Sequence, residues 1–343
     1  MRIRGLFVGL TLASMVFSQS SPFNGRPLLV PDSAGSYRLL IGGHFHGAST
    51  NASGYPAATL LANLAAFNAT KANALLSTGD LFLNPDRDSA RYAGSFFDVL
   101  DLPLFNAPGN HDLEGRAYNQ AARMPQILHM GKDRILLLDT ERDDSRIEGD
   151  QLDALRMLAD SMPRAGRSRL FIVSHRPVWS EEDARFGPLF AGNTRSLTGS
   201  NFKADVLPLL ERIAVHAEVF WISGSMAGRA PASIFFQPVG QNITYMQCAI
   251  RDELRDAVMI ADVSETGLTW SAMSLTGQVM EPVAAYNADW WDARRTLEPA
   301  FNWRLLPYLI RKNIGYPSFW YGAAAASVLL IVVGLLLRRR AQH

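Results

Sequence analysis

The chain has 343 residues with 33 basic against 32 acidic side chains, a formal net charge of +1, so no global field draws it to nucleic acid or another polyanion. A hydrophobic content of 48% with 19% charged residues is that of an ordinary globular protein. Its single cysteine, Cys248, excludes an intramolecular disulfide and reads as a small buried side chain in the apolar run from Ile243 to Ile250.

In chain order, Arg2 and Arg4 precede an apolar stretch from Leu6 to Phe17, the layout of a cleavable signal peptide over residues 1–18. Residues 19–36, rich in Ser, Pro and Gly, read as a lead-in loop. From Tyr37, strand-like runs alternate with helix-like segments: Tyr37 to Ile41, a helix over Ala57 to Phe67, Ala74 to Ser77, a helix over Ser89 to Leu100, then Leu104 to Ala107. The rhythm continues with Arg134 to Asp139, the amphipathic segment Asp150 to Met162, Arg169 to Ser174, a helix over Ala204 to Val215, and Glu218 to Ser223. Such alternation predicts an α/β sheet core. Four later strands, Ser233 to Gln237, Ile243 to Cys248, Ala257 to Val263 and Leu268 to Ser274, lack helices between them and predict an antiparallel second sheet facing the first.

The domain is expected to close at residue 279, with residues 280–318 a connector rich in Trp, Arg and Pro. Phe319 to Leu337 is free of charge and long enough to cross ~30 Å of hydrocarbon as a helix. Arg338, Arg339 and Arg340 follow it, and Trp303, Tyr308, Tyr316, Trp320 and Tyr321 cluster before and at its start. Positive-inside bias then leaves residues 338–343 in the cytoplasm and the main domain outside. Trp290, Trp291, Trp303, Arg294, Arg295 and Arg311 of the connector are candidates for docking lipid headgroups or a neighbouring membrane protein.

Several strand-like runs end in residues of metal-ligand type, where α/β sheets place their sites. The first ends in Gly43-His44-Phe45-His46-Gly47, the second in Thr78-Gly79-Asp80, the third in Pro108-Gly109-Asn110-His111-Asp112, and a later one in His175-Arg176-Pro177. Each fragment alone is weak, since a lone Gly-Asp or histidine is far more often a turn or a satisfied polar residue. Their order carries the signal. A GD turn, a GNHD element about thirty residues on, and a strand-terminal His followed by Arg-Pro together resemble the calcineurin-like metallophosphoesterases, over roughly residues 37 to 275.

The resemblance implies a four-layer αββα sandwich and a two-metal site that activates a water and clamps a phosphate ester. It assigns His46, Asp80, Asn110 and His175 as metal ligands, with Asp80 bridging, His111 as the residue that contacts the phosphate or protonates the leaving group, and Asp112 as its orienting partner. Two departures are specific. His44 stands where the family has its first aspartate, and Gly224-Ser225-Met226-Ala227 stands where a G-H-x-H element closes the site.

With Asp80 the only carboxylate among the matched ligands, two divalent ions would be poorly neutralised. His44, His46, Asp80 and His175 suffice for one ion of manganese, iron or zinc. Arg176 and Arg229 are candidates for supplying guanidinium forks to a phosphate in place of the missing metal charge. His129 and His216 read as structural, and Asp139 as a turn residue after a strand. Two readings follow: a membrane-anchored extracytoplasmic phosphoesterase acting on a phosphate mono- or diester, and a catalytically inactive module of the same fold that binds a ligand or partner. An amidohydrolase reading of His44-x-His46 fits poorly, because the further histidines it needs are too few.

Overall fold

Two sheets are assembled from short, almost wholly apolar strands. In the computed structural model, residues 19–116, 118, 124–162, 168–193, 199–226, 229–294, 314 and 317–340 are described, apart from the side chains at 334, 336, 337, 339 and 340. The expected signal peptide (1–18) and tail end (341–343) lie outside these residues, as do Trp303, Arg295 and Arg311 of the connector.

The first sheet comprises β1 (Tyr37–Gly42), β2 (Ala74–Ser77), β3 (Leu104–Asn106), β10 (Ala257–Val263) and β11 (Leu268–Ser274). Its order is β11-β10-β1-β2-β3; β1, β2 and β3 are parallel, and β10 and β11 extend the sheet antiparallel. The second comprises β4 (Gln126–Met130), β5 (Asp133–Leu137), β6 (Ser168–Ser174), β7 (Ala217–Ser223), β8 (Ile234–Val239) and β9 (Ile243–Cys248), in the order β4-β5-β6-β7-β9-β8. The four late strands therefore do not form a sheet of their own. β9 pairs in parallel with β7, β8 folds back on it, and β10 returns to pair with β1. A run of strands without intervening helices fixes hairpins, but it leaves open which older edge each hairpin joins.

Alternation along the strands sorts side chains into layers. Leu39, Ile41, Leu76 and Phe105 of the first sheet share one buried cluster with Leu137, Phe171, Val173, Ile222 and Met246 of the second, so these faces meet. Cys248 is fully buried in the same cluster. Leu40, Leu75 and Leu104 turn the other way, onto Leu60, Leu64, Phe67 and Phe96. Leu136, Leu170, Ile172 and Trp221 pack on Leu152, Leu155, Leu210 and Ile213. The fold is a two-sheet sandwich flanked by helices.

Helix limits depart from expectation where a side chain offers a cap or a break. The expected helix 57–67 splits into Ala58–Ala62 and Leu64–Ala69 at Asn63, whose Nδ2 donates to the carbonyls of Thr59 and Leu275. The helix expected from Ser89 begins at Pro85, capped by Asn84 accepting from the Arg87 N–H, a sequence signal of Asn followed by Pro at the first helical position.

A buried polar clasp joins the sheets. The Tyr37 hydroxyl on β1 donates to Asp133 Oδ2 at 2.6 Å, while Asp133 Oδ1 accepts the Arg169 N–H at 2.8 Å and Oδ2 lies 3.3 Å from the guanidinium. Burial and the Asp133 charge push the Tyr37 phenol far above its ordinary range.

Within the expected connector, Val283–Ala285 and Ala288–Asp292 are helical, and Trp291 is buried with Nε1 donating to the Ile234 carbonyl at 2.9 Å. Trp290 carries the Arg294 guanidinium 4.3 Å above its ring. Residues Leu297–His343 form a separate unit, whose helix Pro317–Arg340 has 24 residues. Among the described residues no helix is long and apolar enough to cross a membrane. Three positions of the expected span, 334, 336 and 337, have side chains outside those residues.

Replacing Asp133 by Leu leaves the buried Arg169 without its inner partner and is expected to lower stability by about 3 kcal/mol; Tyr37→Phe should lose only about 1 kcal/mol. Guanidinium denaturation of both variants measures this, and equal small losses would contradict the clasp.

Candidate metal centre

The parallel strands β1, β2, β3, β6 and β7 all point their C-terminal ends to one region, where the polar residues gather. The Thr78-Gly79-Asp80 turn is its centre. Thr78 N–H donates to the Gly42 carbonyl and His44 N–H to the Gly79 carbonyl, both at 2.8 Å, which stitches the end of β1 to the end of β2. His44 and Asp80 have φ values of 60° and 55°, a left-handed conformation costing roughly 1–2 kcal/mol for residues with a Cβ, and such local strain collects at functional sites. Gly109 and Gly224 close on this turn from β3 and β7. A Cβ on Gly109 would lie 2.2 Å from Asp80 Oδ1, and one on Gly224 2.1 Å from the Thr78 carbonyl oxygen.

Asp80 is 2% exposed. Its Oδ1 accepts the His111 backbone N–H at 3.1 Å. Its Oδ2 lies 3.0 Å from His44 Nε2, 3.4 Å from His175 Nε2 and 3.7 Å from His46 Nε2. Two groups of donor atoms share this carboxylate, His44–Asp80–His175 and His46–Asp80–His111, each with its atoms within 4.8 Å of one another.

The chemistry of this set fits a cation. His175 Nδ1 sits 3.0 Å from the Thr78 carbonyl, which can only accept, so Nδ1 carries the proton and Nε2 presents its lone pair. That lone pair faces the Asp80 carboxylate with no hydrogen bond between them, and both ring nitrogens of His46 are likewise buried and unpartnered. Lone pair against carboxylate is repulsive unless a positive charge lies between. A tetrahedral ion with N and O ligands about 2.0–2.2 Å away sets neighbouring donors ~3.4 Å apart, the middle of the spacings seen here. The Thr78 contact is the outer hydrogen bond that aims a ligating imidazole.

Protonation follows the same logic. Burial pushes His44 down to about 3 against the pull of Asp80, and burial also lowers His175, so both rings are neutral ligands at pH 7. Burial would raise Asp80, but His175, His111 and His44 together hold it well below the ordinary carboxylate range. His111 is the exception: burial opposes its charge, yet Asp80 and Glu114 outweigh that and raise it to about 9. Its Nδ1 lies 3.3 Å from Glu114 Oε1, and its side chain is 24% exposed.

The other expected site residues divide. Asp112 is fully buried and accepts from the Phe82 and Gly109 N–H groups and from Asn106 Nδ2, so it braces the loop after β3. Asn110 Oδ1 accepts from Arg176 at 2.5 Å. Arg176, 5% exposed, directs its other donors to Glu141, the Asn193 carbonyl and Ser225 Oγ. It lies inside the site, but as a braced residue and not as an open fork. Arg229 stands on an exposed turn; Ala227 lies outside the described residues. Asp139 accepts from the Glu141 N–H, the turn role its position suggested, while His129 and His216 are exposed.

Three participants escaped the sequence reading. Thr78 orients His175, Glu141 pairs with Arg176, and Ser225 occupies the stretch where histidine was expected. All three follow the ends of strands, β2, β5 and β7, which is where such sites form, and that position was the one usable signal.

No protein-family model and no curated protein matches this chain. Among solved structures, a dimetal phosphatase from Danio rerio is similar at 11% identity with a TM-score of 0.46, over 72% of this chain and 99% of that one. A likeness at that level does not assign this chain an activity.

Burial raises the Asp139 carboxyl to about 6, so the fold favours its protonated form. The stabilisation is complete below the unfolded value near 3.9 and lost as pH rises through about 6. Asp139→Asn should therefore be more stable than the natural chain by about 3 kcal/mol at pH 7, the gap nearly closing by pH 4. Chemical denaturation across that range measures it; a constant gap would contradict the assignment.

Proposed function

We propose that the chain is a metal-dependent phosphoesterase acting on a phosphate mono- or diester. The observation that carries this reading is the unpaired Nε2 of His175 aimed at Asp80 Oδ2, in a cluster where His44 and His46 aim at the same oxygen. His44, Asp80 and His175 would hold one divalent ion of manganese, iron or zinc, with His46 beside it. When bound, that ion supplies Lewis-acid polarisation and a water of lowered pKa.

The chain's own residues supply the rest. Asp80 remains ionised and sets the charge of the site. His111, cationic at neutral pH and partly exposed at the rim, is the group able to give a proton to a departing alkoxide. Its backbone N–H, bound to Asp80, fixes that ring relative to the ligands. A non-catalytic module is the second reading, favoured by one observation: the oxygen of Asn110 that would ligate a metal is held by Arg176 instead.

We further propose export and attachment to a membrane through residues 319–337. Supporting this are the uncharged run from Phe319 to Leu337, the three arginines after it, and the exposed apolar side chains Val328, Leu329, Leu330 and Ile331 on the helix Pro317–Arg340. Retention of the full chain in the membrane pellet after alkaline carbonate washing is the expected result; release to the supernatant would remove this part.

For the chemistry, Asp80→Asn is expected to abolish metal uptake and ester hydrolysis together. His111→Gln should lower kcat by about 10²-fold, and more for alkyl phosphates than for nitrophenyl phosphate, whose leaving group needs no proton. Equal losses on both substrates would exclude His111 as the acid.

A further inference from the structure

Arg176 is almost completely buried, yet it belongs to none of the metal-ligand groups. Every donor of its guanidinium has a partner: Nε and one Nη2 hydrogen to the Glu141 carboxylate at 2.6 and 3.4 Å, Nη1 to the Asn193 carbonyl at 3.0 Å and Ser225 Oγ at 2.9 Å, and Nη2 to Asn110 Oδ1 at 2.5 Å. Its backbone N–H is also held, by Thr140 Oγ1 at 2.8 Å. A guanidinium only donates, so the orientation of the Asn110 amide is fixed by chemistry: oxygen toward the arginine, and Nδ2 left as a donor. The fold family's arrangement needs that oxygen on a second ion, and it needs imidazoles where Ser225 and Ala227 stand. Neither is available here.

Charge points the same way. In and beside this cluster, Asp80, Asp112 and Glu141 carry at most three negative charges, Arg176 returns one positive charge, and the cationic His111 is offset by Glu114, 3.3 Å from its Nδ1. One divalent ion balances them. A second would leave two uncompensated positive charges in a desolvated site, which is unfavourable. The side chain that occupies the Asn110 oxygen therefore also carries part of the charge a second ion would bring.

From this we infer that Arg176 replaces a second metal ion, which makes the centre mononuclear and turns Asn110 from a ligand into a hydrogen-bond donor for an oxygen of a tetrahedral oxyanion. Arg176 is a positioning residue in this arrangement: it acts on the oxyanion through Asn110 and through fixed charge. The inference rests on the metal-centre reading of the previous section, and the two fail in different ways.

The test is metal content by mass spectrometry of the full chain loaded with manganese or zinc, together with calorimetric titration of inorganic phosphate. The natural chain is expected to hold one equivalent. Arg176→Met releases the Asn110 oxygen, and its content should rise above one equivalent, the second ion held more weakly than the first for want of those imidazoles. Arg176→Lys keeps the charge and should stay at one, with phosphate affinity reduced about tenfold because the Nη2 bond that orients Asn110 is lost. If Arg176→Met fails to fold, the double variant Arg176→Met/Glu141→Gln, which leaves no unpaired buried charge, should hold one equivalent and bind phosphate at least tenfold more weakly. Two equivalents in the natural chain would overturn the inference while leaving the metal centre intact, as would a folded Arg176→Met that stays at one. No bound metal in the natural chain would overturn the metal-centre reading itself, and this inference with it.

Discussion

A single carboxylate oxygen, Asp80 Oδ2, has three imidazole nitrogens within 3.7 Å while its side chain is 2% exposed. An ionised carboxylate in such surroundings persists only with compensation, and three strand ends converge to provide it. The left-handed turn at Asp80, the glycines that let β3 and β7 close on it, and the Thr78 carbonyl that aims His175 all serve that one group. The sandwich matters to function because its parallel strands deliver these residues from segments far apart in the chain.

The second constraint is electrical. A site rich in histidine and poor in acid cannot neutralise two divalent ions, and this chain places a guanidinium beside the centre instead. Glu141 permits that by pairing with Arg176, so the arginine stays buried without an uncompensated charge. The departure at Ser225 is consistent with this arrangement, since Ser225 Oγ accepts from the same guanidinium that an imidazole would repel when protonated.

Much of the fold was legible because strand and helix leave different periods. The strands Ala74–Ser77, Ile243–Cys248, Ala257–Val263 and Leu268–Ser274 fall within the expected limits. The parting of the late strands between the sheets was not legible, because a pleated strand carries no mark of its neighbour. Among the site residues, His44, His46, Asp80, His111 and His175 could be placed together from their position after strands. The roles of Asp112, Arg176 and Asn110 could not. Those depend on which hydrogen bonds a side chain makes once buried, and spacing along the chain is silent about that. Thr78, Glu141 and Ser225 stayed hidden for the same reason: each acts through a contact across 35 to 97 positions of sequence, from the Arg176–Glu141 pair to the His175–Thr78 bond.

The central claim is that the cluster at Asp80 is a metal centre built chiefly from imidazole. X-ray absorption at the metal edge of the loaded full chain tests it most directly. The account expects the outer-shell scattering of at least two imidazoles and an inner shell of mixed nitrogen and oxygen at about 2.0–2.2 Å. An inner shell of oxygen alone, without imidazole scattering, would mean that any metal sits elsewhere and would contradict the account.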